Sequence, residues 1–191
     1  MKPLYLMVHC SATPEFRDYT KKQILAWFTS RGWRYPGYRQ IAHLDGRITV
    51  LREYDHDDFI QNDEITNGAK GWNNRTIHIS YIGGVDAKTG EPKDTRTEEQ
   101  YFSLQAQTKF FMFMYPNIKI LGHNQVAAKA CPSFNVPRWL RDIGVPQKNI
   151  YNATPKDLRN IITCDGHTPP HELFDIDHEE EILNSIILNE R

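Results

Sequence analysis

The alternation of short apolar segments with capped helical segments constrains the fold of this chain more than any other feature of its sequence. Leu4 to His9 is an apolar run of the kind that forms a buried strand. A second run, rich in β-branched residues, extends from Thr76 to Ile82, and a third from Ile118 to Leu121. Strands that alternate with helices in this way predict an α/β fold, with a central mixed sheet covered by helices.

Two helices are predicted between these strands by signals at their N-termini. Thr20 and Gln23 have the spacing of a capping box, and apolar residues follow at helical intervals until Gly32. The same Thr-x-x-Gln spacing recurs from Thr97, at the start of a helix that Pro116 should end. A brief helix is also expected around residues 138–143.

A hairpin and a long loop fill the middle of the chain. The turn signal Leu44-Asp45-Gly46 joins predicted strands at 38–43 and 47–52, and residues 11–14 read as a loop. Residues 54–74 are polar and irregular, which predicts a long surface loop. Long loops in compact domains often carry function.

Chain length and composition favour one domain with an appendage. The 191 residues, 39% of them hydrophobic, suffice for one globular domain of about 150 residues. We predict a single globular domain over residues 1–149 and a C-terminal helical extension of unknown role over residues 150–191. An amphipathic helix from Glu179 to Leu188 is expected in that extension.

Charge, cysteine content and apolar segment length exclude several classes of protein. Lys and Arg number 23 against 24 Asp and Glu, without a basic run, so no nucleic-acid partner is expected. The three cysteines, Cys10, Cys131 and Cys164, favour free thiols or metal ligation over disulfides. No apolar segment approaches the roughly 20 residues of a membrane span, and Leu4 to Val8 is too short for a signal peptide. Synthesis in the cytoplasm without a signal peptide is therefore expected.

Two loops at predicted strand ends carry residues that can bind a metal. His9 ends the first strand, and His123 and Cys131 lie in the loop after the third. Histidine and cysteine are preferred zinc ligands, and three protein ligands with an open fourth position are typical of catalytic zinc. Singly, a histidine is more often structural and a free cysteine more often a small buried residue, so the combination matters. Cys10 should face the core, because neighbouring strand residues point to opposite faces.

Four separated motifs occur between about Leu4 and Leu140. They are His9 to Thr13; Gly37-Tyr38 before Asp45-Gly46; Ala69 to Asn73 leading to Gly83-Gly84; and His123 through Lys129 to Cys131, Pro132 and Ser133. In this order they resemble the zinc-dependent N-acetylmuramoyl-L-alanine amidases, a family that includes phage lysozymes, bacterial autolysins and peptidoglycan recognition proteins. The phage-lysozyme branch is the most similar.

The resemblance implies a fold, a cofactor and a reaction. It implies a zinc cleft at the strand ends, with His9, His123 and Cys131 as the metal ligands. Tyr38 and Lys129 correspond to the residues that assist catalysis. The implied reaction is hydrolysis of the amide bond between N-acetylmuramic acid and L-alanine in peptidoglycan, as an endolysin performs it, on the cell wall after release or delivery.

The chemistry of amide hydrolysis agrees with this set of residues. An amide is a poor electrophile, so a metal that polarises its carbonyl and lowers the pKa of a bound water toward about 7 is useful. Lys129 would then stabilise the oxyanion, and Tyr38 would hold or deprotonate the attacking water. The donor of the proton to the leaving amine stays open between Tyr38 and the zinc-bound water.

The chain also departs from the family pattern. Arg39 and Gly68 stand where several relatives have histidines, and residues 125–128 replace a Glu-Val-Ala-Pro run. These changes spare the implied ligands, and we expect them to alter substrate contacts. Two other functions stay open: a peptidoglycan-binding module without catalysis, and a regulator that binds a partner protein through the extension or the long loop.

Overall fold

Strands and helices alternate along the chain in the computed structural model, which describes residues 1–55, 57 and 59–153. In order, the elements are β1 (Tyr5–Cys10), β2 (Thr13–Pro14), α1 (Lys21–Thr29), β3 (Gln40–Ala42), β4 (Ile48–Val50), β5 (Thr76–Tyr81), β6 (Gly84–Val85), α2 (Glu98–Met114), β7 (Lys119–Gly122) and α3 (Val136–Asp142). Short 3-10 helices occupy Asn73–Arg75, His123–Gln125 and Gln147–Asn149.

Five of the strands form one mixed sheet in the order β4-β3-β5-β1-β7. β4 pairs antiparallel with β3, and the other neighbours are parallel, which confirms the predicted α/β fold with a central mixed sheet. β1 lies between β5 and β7, with His9 opposite Ser80 and Val8 opposite Gly122. The carboxyl ends of these three strands therefore meet at one edge of the sheet.

Helices and loops cover both faces of this sheet. On one face, Leu6, Val8 and Cys10 of β1 belong to the main core, which also includes Leu104 and Phe111 of α2. Burial of each large aliphatic side chain contributes about 1.5–3 kcal/mol. The opposite face carries two smaller clusters of buried residues: Ile24, Phe28, Ile41, Leu51 and Ile82 around α1, and Met7, Ala69 and Leu121 beneath the loop before β5.

Both predicted capping boxes are present, and the second one also anchors α2 to the sheet. The Thr97 side chain accepts a hydrogen bond from the Gln100 backbone, and the Gln100 side chain accepts one from the Thr97 backbone. The Gln100 amide Nε2 also donates to the carbonyl oxygens of Ala42 at 3.2 Å and Ile82 at 2.9 Å. Gln100 therefore fixes the start of α2 against the ends of β3 and β5.

Three local predictions are corrected by the structure. The hairpin strands are only three residues long, because the amides of Leu51 and Arg52 both donate to the Arg39 carbonyl and interrupt the ladder. The predicted loop at 11–14 contains β2, which pairs in parallel with β6. α3 begins at Val136 rather than near residue 138, because the Asn135 side chain caps it.

The predicted C-terminal helix from Glu179 to Leu188 and the third cysteine, Cys164, lie outside the described residues. Within the described part of the chain, no helix has the length and apolar character needed to cross a membrane.

Replacement of Gln100 by alanine should destabilise the fold more than the matching change in α1. Gln100→Ala leaves the buried Ile82 carbonyl without its Gln100 partner and removes one of two bonds to the Ala42 carbonyl, which also accepts from the Ile82 amide. We therefore expect the free energy of unfolding to fall by about 1–3 kcal/mol. Gln23 has the same place in the capping box of α1 but is exposed. Gln23→Ala should cost less than about 1 kcal/mol. Urea denaturation measures both values, and equal losses would contradict the anchoring role of Gln100.

Candidate metal centre

His9 lies at the sheet edge where the parallel strands end. Its side chain is 1% exposed and points away from the core that contains Cys10. The two ring nitrogens face different partners: Nδ1 lies 3.5 Å from Cys131 Sγ, and Nε2 lies 2.9 Å from His78 Nδ1. The imidazole of His9 is thus held between the thiol of Cys131 and a second histidine.

His123 and Cys131 reach the same place from the segment after β7. His123 directly follows Gly122, the last residue of β7, and its ring centroid lies 4.7 Å from that of His9. One ligand atom from each of His9, His123 and Cys131 can be chosen so that all three lie within 4.8 Å of one another. The structure therefore brings together the three residues that the sequence singled out as ligands.

Hydrogen bonds hold the loop that carries Cys131. The backbone amide of Asn124 donates to the Cys131 carbonyl at 2.7 Å, and the Tyr81 hydroxyl donates to the Pro132 carbonyl at 2.7 Å. The Ser133 hydroxyl donates to the Gly84 carbonyl at 2.8 Å. The backbone amide of Cys10 also donates to Cys131 Sγ at 3.3 Å. The position of the sulfur is therefore fixed from several sides.

Burial keeps the histidines of the site neutral. Burial lowers the pKa of His9 well below its usual value, and the nearby charges of His123, His78 and Lys129 lower it further. Burial and then Lys129 lower the pKa of His123 to about 4. Burial and then His123 lower the pKa of His78 to about 3. At neutral pH each ring therefore keeps a free lone pair, as metal ligation requires.

The donor atoms fit a zinc ion. Two neutral imidazoles and one thiol are borderline-soft to soft donors of the type that zinc prefers. Tetrahedral zinc with usual bond lengths places a nitrogen and a sulfur ligand about 3.6 Å apart. The corresponding distance between His9 Nδ1 and Cys131 Sγ is 3.5 Å. Burial raises the pKa of the Cys131 thiol, so its thiolate needs a positive charge beside it.

The two residues assigned to catalysis also lie at this edge. The ring centroid of Tyr38 is 5.1 Å from that of His9, and its hydroxyl donates to the Cys10 carbonyl at 3.1 Å. Burial raises the pKa of the Tyr38 phenol, and the neighbouring cysteines raise it further. Lys129 is exposed, and its charge lowers the pKa of His9, His123 and Cys131. A neutral hydroxyl and an ammonium group therefore flank the three candidate ligands.

His78 is a site residue that the sequence analysis did not single out. It lies in β5, is 0% exposed and contacts His9 through the hydrogen bond described above. Its position beside His9 depends on the pairing of β1 with β5, which no local pattern specifies. The alternating apolar residues around His78 predicted only that it lies in a strand.

Gln125, one of the departures from the family pattern, has a structural role. It is buried, and its Nε2 donates to the carbonyls of Tyr151 and Ala153 at 3.0 and 2.7 Å. Its Oε1 accepts from the backbone amide of Gly122 at 2.8 Å. Gln125 therefore connects the segment that follows Ile150 to the loop that carries His123 and Cys131. These bonds lie within the chain, so they do not bear on the expected effect of this substitution on substrate contact.

Comparison with protein families and curated proteins gives a consistent result. The family model described as N-acetylmuramoyl-L-alanine amidase matches residues 1–134. The endolysin of Enterobacteria phage K11 is 34% identical to the chain over 134 residues, which are 70% of this chain and 83% of that protein. The endolysin of Escherichia phage T7 is 33% identical over 136 residues, with the same coverage.

Solved structures share the fold. The amidase LysC from Clostridium intestinale URNW is similar with a TM-score of 0.58 and 24% identity, over 76% of this chain and 87% of that one. Drosophila PGRP-LB is similar with a TM-score of 0.54 and 24% identity, over 69% of this chain and 76% of that one. At these identities the likeness concerns the architecture alone.

The two described cysteines should differ in their reactivity toward iodoacetamide. Cys131 is partly exposed, whereas Cys10 is 2% exposed and packs in the main core. The raised pKa of the Cys131 thiol should make its alkylation slow, but because the reagent needs access to the sulfur, we still expect chelator-treated protein to be modified at Cys131 and spared at Cys10. Added zinc should protect Cys131. Peptide mass mapping measures both sites, and modification of Cys10 at the rate of Cys131 would contradict the structure.

Proposed function

Because the chain belongs to the N-acetylmuramoyl-L-alanine amidase family and acts on peptidoglycan as an amidase, we propose that it does so with one zinc ion held by His9, His123 and Cys131. The observation that carries the proposal is the convergence of three ligand atoms within 4.8 Å of one another. Three protein ligands leave a coordination position open, as catalytic zinc requires and structural zinc does not.

The metal and its ligands have separate tasks. When bound, zinc supplies a Lewis acid that polarises the amide carbonyl and brings the pKa of its water to about 7. The thiolate of Cys131 supplies one negative charge, so the centre keeps a net positive charge. The lowered pKa values of His9 and His123 support ligation, because neither ring has to lose a proton at neutral pH.

Tyr38 is proposed to hold the attacking water. Its pKa is raised by burial, so at neutral pH the phenol keeps its proton, which it donates to the Cys10 carbonyl, and its oxygen can accept a hydrogen bond from the water. This favours orientation of the water over removal of its proton, two roles between which the sequence did not decide. The bond to the Cys10 carbonyl directs the hydroxyl toward the strand end that also carries His9.

Lys129 is proposed to stabilise the oxyanion that develops on the carbonyl oxygen. A fixed positive charge near that oxygen stabilises the transition state more than the uncharged substrate. The effect of the Lys129 charge on all three proposed ligands supports its location near the reacting bond. Its exposure leaves the ammonium group accessible to substrate.

We further propose that residues 1–149 contain the catalytic machinery and that the extension after them serves another purpose. The family match ends at residue 134, before the extension begins. The contacts of Gln125 reach Ala153, so a shortened chain should keep residues 151–153. The phage relatives are endolysins, which supports action on the bacterial cell wall after release or delivery.

Metal content should depend on Cys131 and be independent of Cys10. We expect one zinc per chain in the purified protein, and its loss in Cys131→Ser, because a hydroxyl is a far poorer zinc ligand than a thiolate. Cys10→Ser is the matched control and should retain the zinc, since Cys10 packs in the core. Elemental analysis after dialysis measures both. Zinc-free wild type that still hydrolyses peptidoglycan after exhaustive chelation would refute the proposal.

Tyr38→Phe and Lys129→Ala should reduce turnover without removing the metal. Loss of one preorganised interaction with the attacking water or the oxyanion costs on the order of 10²-fold in kcat, and KM should change much less. Tyr19→Phe and Lys22→Ala, which alter a tyrosine and a lysine near or on α1, serve as controls. The assay counts new alanine amino termini released from purified peptidoglycan.

A pull-down on the same peptidoglycan separates catalysis from binding. The variants should still bind the cell wall and hold zinc, because Tyr38 and Lys129 are not proposed ligands. If zinc-loaded wild type bound peptidoglycan but released no amino termini, the chain would be a binding module and the assigned catalytic roles would fall.

A further inference from the structure

We propose that His78 is a positioning residue for the metal centre, and that Gly68 provides the space for its ring. In this proposal, His78 accepts a hydrogen bond from His9 and thereby directs Nδ1 of His9 toward the metal. The inference rests on the proposed zinc centre and adds to it a residue outside the ligand set.

The geometry places His78 behind His9. His9 Nδ1 faces Cys131 Sγ at 3.5 Å, while Nε2 of the same ring faces His78 Nδ1 at 2.9 Å. The two nitrogens of an imidazole lie on different sides of the ring, so His78 does not share the metal that His9 Nδ1 would bind. A metal-binding histidine commonly donates its second N–H to an acceptor that fixes the tautomer.

Only one arrangement of protons is compatible with ligation by His9 Nδ1. That nitrogen must be free of a proton, so the proton of neutral His9 lies on Nε2 and is donated to His78 Nδ1. In the reverse arrangement, His78 donates to His9 Nε2, and the proton of His9 on Nδ1 would block the metal. The contact with His78 therefore selects the ligand atom of His9.

The second ring nitrogen of His78, Nε2, supports a functional role for its contact with His9. When Nδ1 of His78 accepts, its proton lies on Nε2, which is buried and has no hydrogen-bond partner among the described residues. A buried polar atom without a partner is unfavourable and needs an explanation. Fixing the metal-binding tautomer of His9 explains why this histidine is kept in a strand interior.

Gly68 is shaped to the ring of His78. A Cβ atom at position 68 would lie 2.3 Å from His78 Nδ1 and 2.4 Å from its Cγ, closer than real contacts allow. The backbone of Gly68 is outside the left-handed region, so its conformation does not require glycine. Glycine is therefore needed at position 68 because the His78 ring occupies the space that a side chain would fill. The departure from the family pattern at Gly68 thereby acquires a structural reason.

The test compares zinc affinity in the full-length protein by competition with a chromophoric chelator. His78→Leu keeps much of the volume but removes the acceptor, and we expect the zinc dissociation constant to rise about 10–100-fold. His78→Asn can place its carbonyl oxygen near the former Nδ1, so it should stay within a few-fold of wild type. Equal affinity of the Leu and Asn variants would overturn the inference.

Gly68→Ala tests the same contact without touching the histidine. The added methyl should displace the His78 ring and weaken zinc binding, whereas in the His78→Ala background it should cause no further loss. Wild-type affinity in Gly68→Ala, or an equal loss in both backgrounds, would overturn the inference even if His78→Leu failed to fold.

Wild type that bound no zinc would instead refute the metal centre. A cobalt-substituted spectrum unchanged by His78→Leu would also count against the positioning role.

Discussion

The parallel pairing of β1 with both β5 and β7 is the interaction on which the site depends. It brings three strand ends to one edge of the sheet and places His9 between His78 and the loop that begins at His123. Side chains alternate along a strand, so a shift of β1 by one residue would turn His9 into the core and Cys10 toward the proposed zinc site. The burial of Leu6, Val8 and Cys10 in the main core opposes this shift and thus keeps His9 on the opposite face.

Much of the site was predictable from sequence because its residues lie in short local motifs. Alternation in β1 gave the opposite orientations of His9 and Cys10, and the capping boxes at Thr20 and Thr97 gave both long helices. The order and register of the strands are set by long-range packing, which no local pattern encodes. For that reason His78 was not identified, although it touches His9.

Two departures from the family pattern have explanations that only the three-dimensional structure supplies. Gly68 looked like a lost side chain, but it gives room to the ring of His78. Gln125 has a structural role beside any effect on substrate contact: its amide donates to two carbonyls, which a glutamate carboxylate cannot do. In both cases the substituted residue alters the surroundings of the three proposed ligands and leaves those ligands in place.

The proposed centre is a zinc ion bound by two imidazoles and one thiolate, with a fourth position left for water. X-ray absorption at the zinc edge of the purified protein tests this directly. We expect one sulfur at about 2.3 Å from the zinc and the other ligands, nitrogen or oxygen, at about 2.0–2.1 Å. Because Cys10 lies beside Cys131, a fit that required two sulfurs would show that both thiols bind. Such a result, or a fit without sulfur, would contradict the account.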